Sequence, residues 1–84
     1  MTRDHISGLL RATCARVLSK DEDAITGGSL LVEDLEADSL DFAEIIETLK
    51  EHGVTLPAQD VLRIRTFDDF VDAVQARTAV ETAR

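Results

Sequence analysis

The chain has no tryptophan, no tyrosine and only three phenylalanines among 84 residues. Its core is therefore expected to be aliphatic. It has one cysteine, Cys14. A lone thiol closes no internal disulfide, and a small domain without disulfides suits a reducing compartment, so a cytoplasmic protein is expected. Positive charge is scarce: nine Lys and Arg stand against seventeen Asp and Glu, a net charge of −8. Gripping phosphates needs a clustered basic face, which excludes nucleic acid as a partner. Long apolar runs are missing too. The longest is Leu30-Leu31-Val32, far short of the roughly 20 residues of a membrane span, so no membrane association is expected. The segment Met1-Thr2-Arg3-Asp4-His5 lacks the apolar stretch of a secretory signal.

What is present fits one small domain. Hydrophobic residues make up 44% of the chain, enough for a compact core and against disorder. A domain of this size buries only about 60% of its unfolded surface, leaving little interior for a water-excluded cleft. That favours a binding or carrier module over an enzyme.

Apolar periodicity divides the chain. Ile6, Leu9, Leu10, Cys14, Val17 and Leu18 form one stripe of a helix over residues 3–18, with Cys14 read as a small buried hydrophobe. A long connection follows to about Ala37, turning at Gly27-Gly28-Ser29. Loops longer than about 12–15 residues are uncommon unless functional or packed. Ile25, Leu30, Leu31, Val32 and Leu35 supply anchors for packing it. A central helix over 39–52 has Asp38 as its N-cap and Asp41 completing an approximate capping box. Its buried stripe is Phe42, Ile45, Ile46 and Leu49, and Gly53 stands at its C-terminal end. Pro57 starts a short helix over 58–62. Thr66 and Asp69 cap a last helix whose stripe is Phe67, Phe70, Val71 and Val74, with a frayed tail expected over 78–84. No strand-like alternation is long enough for a sheet. The expected fold is all-α: a four-helix bundle with a long loop between helices 1 and 2 and a short third helix.

The most unusual local feature is Asp38-Ser39-Leu40-Asp41. As the first residue after a cap, Ser39 should expose its hydroxyl beside free backbone N–H groups and the positive helix end. A phosphodiester attached there would be electrostatically welcome. An exposed Leu40 suggests a contact point. A hydrolytic serine would need a histidine base; His5 and His52 are the only candidates, and no Gly-x-Ser-x-Gly elbow is present. His52 reads as compensating a helix end. Acids are dense, with eight from Glu33 to Glu51, but a calcium loop needs Gly at its sixth position and Glu at its twelfth. Loops starting at Asp34 or Asp21 place Ser39 and Ile45, or Thr26 and Val32, at those positions. No metal site is expected.

The run Val32-Glu33-Asp34-Leu35-Glu36-Ala37-Asp38-Ser39-Leu40-Asp41 resembles the acyl carrier proteins. The resemblance continues through Glu44, Leu56-Pro57, Ile64 and Thr66, and spans nearly the whole chain. It implies that Ser39, flanked by Asp38 and Leu40, carries 4′-phosphopantetheine transferred from coenzyme A by a separate phosphopantetheinyl transferase. The arm's thiol would hold acyl groups as thioesters, with no catalysis by the carrier. It also implies a docking face of Leu40, Asp41, Glu44, Glu47, Glu51 and Leu62. That face would meet basic patches on acyl-loading enzymes, ketosynthases or other biosynthetic enzymes. An apolar acyl chain is expected between the helices, near Leu31, Leu35, Ile46, Leu49, Ile64 and Val71. A free-standing monomer serving fatty-acid or polyketide biosynthesis is expected. The alternatives are an aminoacyl or peptidyl carrier, or an unmodified acidic interaction module.

Three features depart from the family pattern. Glu36 stands where glycine is usual. The turn before Pro57 is one residue shorter than in the common fatty-acid form. The third helix, Ala58-Gln59-Asp60-Val61-Leu62, is poor in acid and leads into Arg63. These departures point toward a specialised pathway with dedicated partners.

The crowded acids generate a prediction. The Debye length falls from about 10 Å at 0.1 M salt to about 3 Å at 1 M. Screening should therefore raise the melting temperature across that range, as read by circular dichroism. A flat response would show that nearby cations such as Lys50, Arg63 and Arg65 already relieve the repulsion.

Overall fold

The computed structural model describes residues 2–82, with side chains over residues 2–78. Four helices follow in order: α1 (Arg3–Leu18), α2 (Ser39–Glu51), α3 (Ala58–Val61) and α4 (Phe67–Thr82). A single 3₁₀ turn, Glu22–Ala24, interrupts the long loop after α1. Among the described residues the only β-type pairing is an isolated antiparallel bridge between Leu30 and Thr66.

Thr2 caps α1, its hydroxyl oxygen accepting from the His5 N–H at 3.2 Å. Ile6, Leu10 and Cys14 are buried on the expected stripe, while Leu9, Val17 and Leu18 are half-buried at its edge. Thr13 is buried as well. Its hydroxyl donates to the Leu9 carbonyl at 2.8 Å, which removes the cost of burying it. Burial pushes the Cys14 thiol up to about 12, so it stays protonated at neutral pH and acts as packing.

The buried core is mostly aliphatic, as the scarcity of aromatics implies, but its two largest members are aromatic. Phe67 and Phe70 are the largest fully buried side chains, with Phe70 wholly inaccessible. They lie on α4, and α1 packs against both α4 and α2. Two bulky rings fill the centre where smaller side chains would leave voids, and Ile6, Leu10, Ile45 and Leu49 surround them in the same cluster.

The long loop is ordered by backbone bonds to the start of α4. The Leu31 N–H donates to the Arg65 carbonyl at 2.9 Å, Phe67 N–H to Ser29 at 2.9 Å, and Asp68 N–H to Gly27 at 3.0 Å. Arg11 reaches over from α1: its Nε donates to the Ile25 carbonyl at 3.1 Å, and its guanidinium lies 5.0 Å from the Phe67 ring centroid. Ile25, Leu31 and Leu35 are the buried anchors, and Leu30 is half-buried. Val32 is not an anchor. It is 56% exposed, because the turn containing it carries its side chain outward.

The cap of α4 is reciprocal. The Asp69 N–H donates to the Thr66 hydroxyl at 3.0 Å. One Asp69 carboxylate oxygen accepts from the N–H groups of Thr66 at 3.1 Å and Arg65 at 3.2 Å. Backbone α4 continues to Thr82, past the point where apolar periodicity stops; Ala83 and Arg84, the end of the expected frayed tail, lie outside the described residues.

Those two backbone donors hold the Asp69 carboxyl below the usual carboxylate range. A group depressed in the folded state stabilises above its unfolded pKa, near 4, and loses that contribution as pH falls through the folded value. Asp69→Asn should therefore be less stable than wild type at pH 7 in urea titrations. The gap should narrow steadily below about pH 4. A gap independent of pH would contradict this role.

Candidate functional site

The site starts from a helix cap. Asp38 has extended backbone angles and its carboxylate accepts from the Asp41 N–H at 2.9 Å. The Asp41 carboxylate accepts in return from the Asp38 N–H at 3.1 Å. This closed box satisfies two donors that a helix start leaves open. Ser39 is the first residue of α2, is exposed, and makes no side-chain hydrogen bond among the described residues. The other serines are placed differently. Ser7 lies within α1, Ser19 ends α1, and Ser29 is buried against Thr26.

The chain enters this cap through a left-handed residue. Glu36 has φ 62°, between buried Leu35 and Ala37. The N–H groups of Glu36 and Ala37 donate to the carbonyls of Val32 at 3.1 Å and Leu31 at 2.9 Å. These bonds fix the turn whatever residue occupies it. Glycine adopts such angles freely, whereas a side chain costs about 1–2 kcal/mol. The residue that departs from the family pattern thus sits where the backbone favours glycine. Its carboxylate approaches Lys20 at only 4.0 Å in an exposed setting, which contributes little.

Beside Ser39 runs an apolar groove of about 430 Å³. Ser39, Phe42, Ala43 and Ile46 form its α2 wall, spaced so that they share one helix face. Leu56, Ala58, Val61 and Leu62 form the other wall. Of the residues expected near an acyl chain, Ile46 alone lines this groove. Leu31, Leu35, Leu49, Ile64 and Val71 belong to the buried core. Phe42, Ala43, Leu56, Ala58 and Val61 also line the groove, although the sequence did not single them out for an acyl chain. The spacing from Ser39 along α2 carried the signal for the first two.

The expected docking residues divide into free and committed groups. Leu40 is 78% and Leu62 86% exposed, and Glu44, Glu47 and Glu51 are exposed on α2. Lys50 approaches Glu47 at 3.9 Å. Asp41 is half-buried and engaged in the cap. On α3, Asp60 is held by Arg77 through two bonds, Nε at 2.9 Å and Nη2 at 2.7 Å. Its charge is therefore balanced within the molecule. Val32 adds an exposed apolar side chain to a depression shared with Leu62 and Arg65.

His52 follows Ser39 by thirteen residues, about 20 Å along a helix, and its Nδ1 lies 3.0 Å from the Thr48 carbonyl oxygen. No metal-binding group of three His, Cys, Asp or Glu occurs among the described residues. No helix among them is long and apolar enough to cross a membrane.

A profile of the phosphopantetheine attachment site matches residues 8–74. The chain is 34% identical over 77 residues to acyl carrier proteins of Rickettsia canadensis and Rickettsia rickettsii, covering 90% of each partner in both alignments. The chain belongs to the acyl carrier protein family. Its fold also matches a solved structure described as a candidate acyl carrier protein of Mycobacterium tuberculosis. That match has a TM-score of 0.77 at 30% identity, over 84% of this chain and 96% of the other. Acyl carrier proteins are carriers rather than catalysts, and their prosthetic group is 4′-phosphopantetheine. They work with a phosphopantetheinyl transferase and with biosynthetic enzymes. The geometry fits that group: an exposed hydroxyl with no internal partner opens onto an apolar groove.

Glu36 makes the local strain measurable. Relief of the left-handed side chain, about 1–2 kcal/mol, outweighs the entropy cost of glycine, about 0.5–1 kcal/mol. Glu36→Gly should therefore stabilise the carrier by up to about 1.5 kcal/mol in urea unfolding. A loss of stability would show that the Glu36 side chain makes a contact worth more than the strain.

Proposed function

We propose that Ser39 is the attachment residue of this carrier, and that α2 and the residues after Pro57 form its docking face. The observation that carries the reading is the exposed, unengaged hydroxyl at the first position of α2, fixed by the Asp38–Asp41 box. When bound, the arm supplies a thiol that holds an acyl group as a thioester. The protein's own residues do the rest. The start of α2 directs backbone N–H groups and the positive end of the helix toward the attachment point, which favours an anionic phosphodiester. Asp38 and Asp41 hold that start rigid. Leu40 and Leu62 offer apolar contact on either side of Ser39.

Glu44, Glu47 and Glu51 steer partners with basic patches, raising association rates without requiring a large or long-lived interface. A carrier must visit several enzymes in turn, so fast docking and fast release suit it. The neutralised Asp60, followed by exposed Arg63 and Arg65, ends the acidic face at α2. That pattern supports dedicated partners in a specialised pathway, polyketide or related, over the general fatty-acid enzymes. A cytoplasmic carrier fits the free buried thiol of Cys14, and a monomer fits exposed large apolar side chains limited to Val32, Leu40 and Leu62 among the described residues.

The test is loading with coenzyme A and a phosphopantetheinyl transferase, followed by intact mass measurement. Wild type should gain one arm. Ser39→Ala should gain none while keeping its helical spectrum, because the hydroxyl supports no internal contact. An arm on the Ala variant would contradict the assignment, and failure of wild type with several transferases would favour an unmodified interaction module.

A further inference from the structure

The groove beside Ser39 meets the interior at Phe42, Leu56 and Val61, which line it and belong to the buried core or pack against it. Ser39, Phe42 and Ile46 lie along one face of α2, and seven residues of helix span about 10 Å. Of these, Phe42 borders the groove on one side and packs against the buried core on the other. Its ring centroid is 6.3 Å from that of Phe70, with the planes tilted by 34°. Phe70 is inaccessible to solvent. Phe42 thus links the groove to the Phe70 ring, in the same buried cluster as Leu49 and Val71.

We propose that Phe42 sets how much of an acyl chain this carrier takes in: its ring closes the groove off from the core. Cargo then lies along α2 over a length of about 10 Å instead of entering the bundle. The inference rests on Ser39 as the point of attachment. Short acyl groups fit the groove without rearrangement. A long one gains no burial beyond it unless the Phe42 ring leaves Phe70, which breaks an aromatic contact and opens a void in a close-packed interior. The free energy of burying further methylenes is thereby offset, and the distal part of a long chain stays in water or passes to a partner enzyme. Phe42 is thus a specificity residue for cargo length. The residues expected around a bound chain, Leu49 and Val71 among them, lie behind it.

The test uses the full-length protein loaded at Ser39 with butanoyl-, octanoyl- or tetradecanoyl-phosphopantetheine, and NMR of its side-chain methyl groups and aromatic rings. In wild type, shifts relative to the unacylated holo form should stay at groove residues such as Ile46, Val61 and Leu62 for every chain length. Leu49, Phe70 and Val71 should not move. In Phe42→Ala, octanoyl and tetradecanoyl chains should shift Leu49, Phe70 and Val71, and thioester cleavage by hydroxylamine should slow relative to wild type. Phe42→Leu keeps most of the packing and should give the same change in smaller degree, so it decides the matter if the Ala variant does not fold. Core shifts in octanoyl-loaded wild type overturn the proposal, as does a Leu variant indistinguishable from wild type. Lack of any adduct on Ser39 by mass spectrometry overturns the attachment reading itself, and this inference with it.

Discussion

The reciprocal bond between Asp38 and Asp41 decides where α2 begins, and everything functional is counted from that point. Starting the helix one residue later would remove Ser39 from the helix start. Starting it earlier would bring Ala37, now buried, into the first turn. With the start fixed, residues 39, 42, 43 and 46 face the groove, while Leu40, Glu44, Glu47 and Glu51 turn toward solvent. A cap of this kind contributes about 1 kcal/mol, a modest share of a small domain's stability. Its larger effect is on register, because it sets which α2 residues border the groove and which face solvent.

The acids of this chain have separate uses despite their similar appearance in the sequence. Asp38, Asp41 and Asp69 are spent on helix starts, where they accept from backbone N–H groups. Asp60 is tied to Arg77 and joins α3 to α4. That bond matters for the groove, since α3 has four residues and none is buried. Only Glu44, Glu47 and Glu51 are left displayed along α2, and Lys50 tempers Glu47. A net charge of −8 thus overstates the electrostatic face a partner meets.

Much of this was legible in the sequence because local rules decide it. The caps at Asp38 and Thr66, the stripes of α1 and α4 and the glycine-like position at Glu36 follow from periodicity, capping chemistry and family pattern, whereas on α2 only Ile45 and Leu49 of the expected stripe are buried and Phe42 and Ile46 border the groove. What escaped depends on tertiary packing. Counting aromatics could not show that Phe67 and Phe70 would occupy the centre. An apolar residue in an ordered loop reads as an anchor, yet Val32 points outward because the turn between Leu30 and Ala37 fixes its direction. The lining of the groove depends on packing too. Leu49 and Val71 are as apolar as the groove residues, and no one-dimensional pattern reveals that they are buried in the core while Phe42 and Ile46 border the groove.

The central claim is that the cap-fixed hydroxyl of Ser39 is where cargo is carried. Peptide mapping by tandem mass spectrometry, on protein isolated from its native host without added coenzyme A or transferase, addresses it most directly. The account predicts a phosphopantetheine group on the peptide containing Asp38-Ser39-Leu40, with fragments placing it on Ser39 and an acyl group on its thiol. Modification at Ser7, Ser19 or Ser29 with Ser39 bare would contradict it.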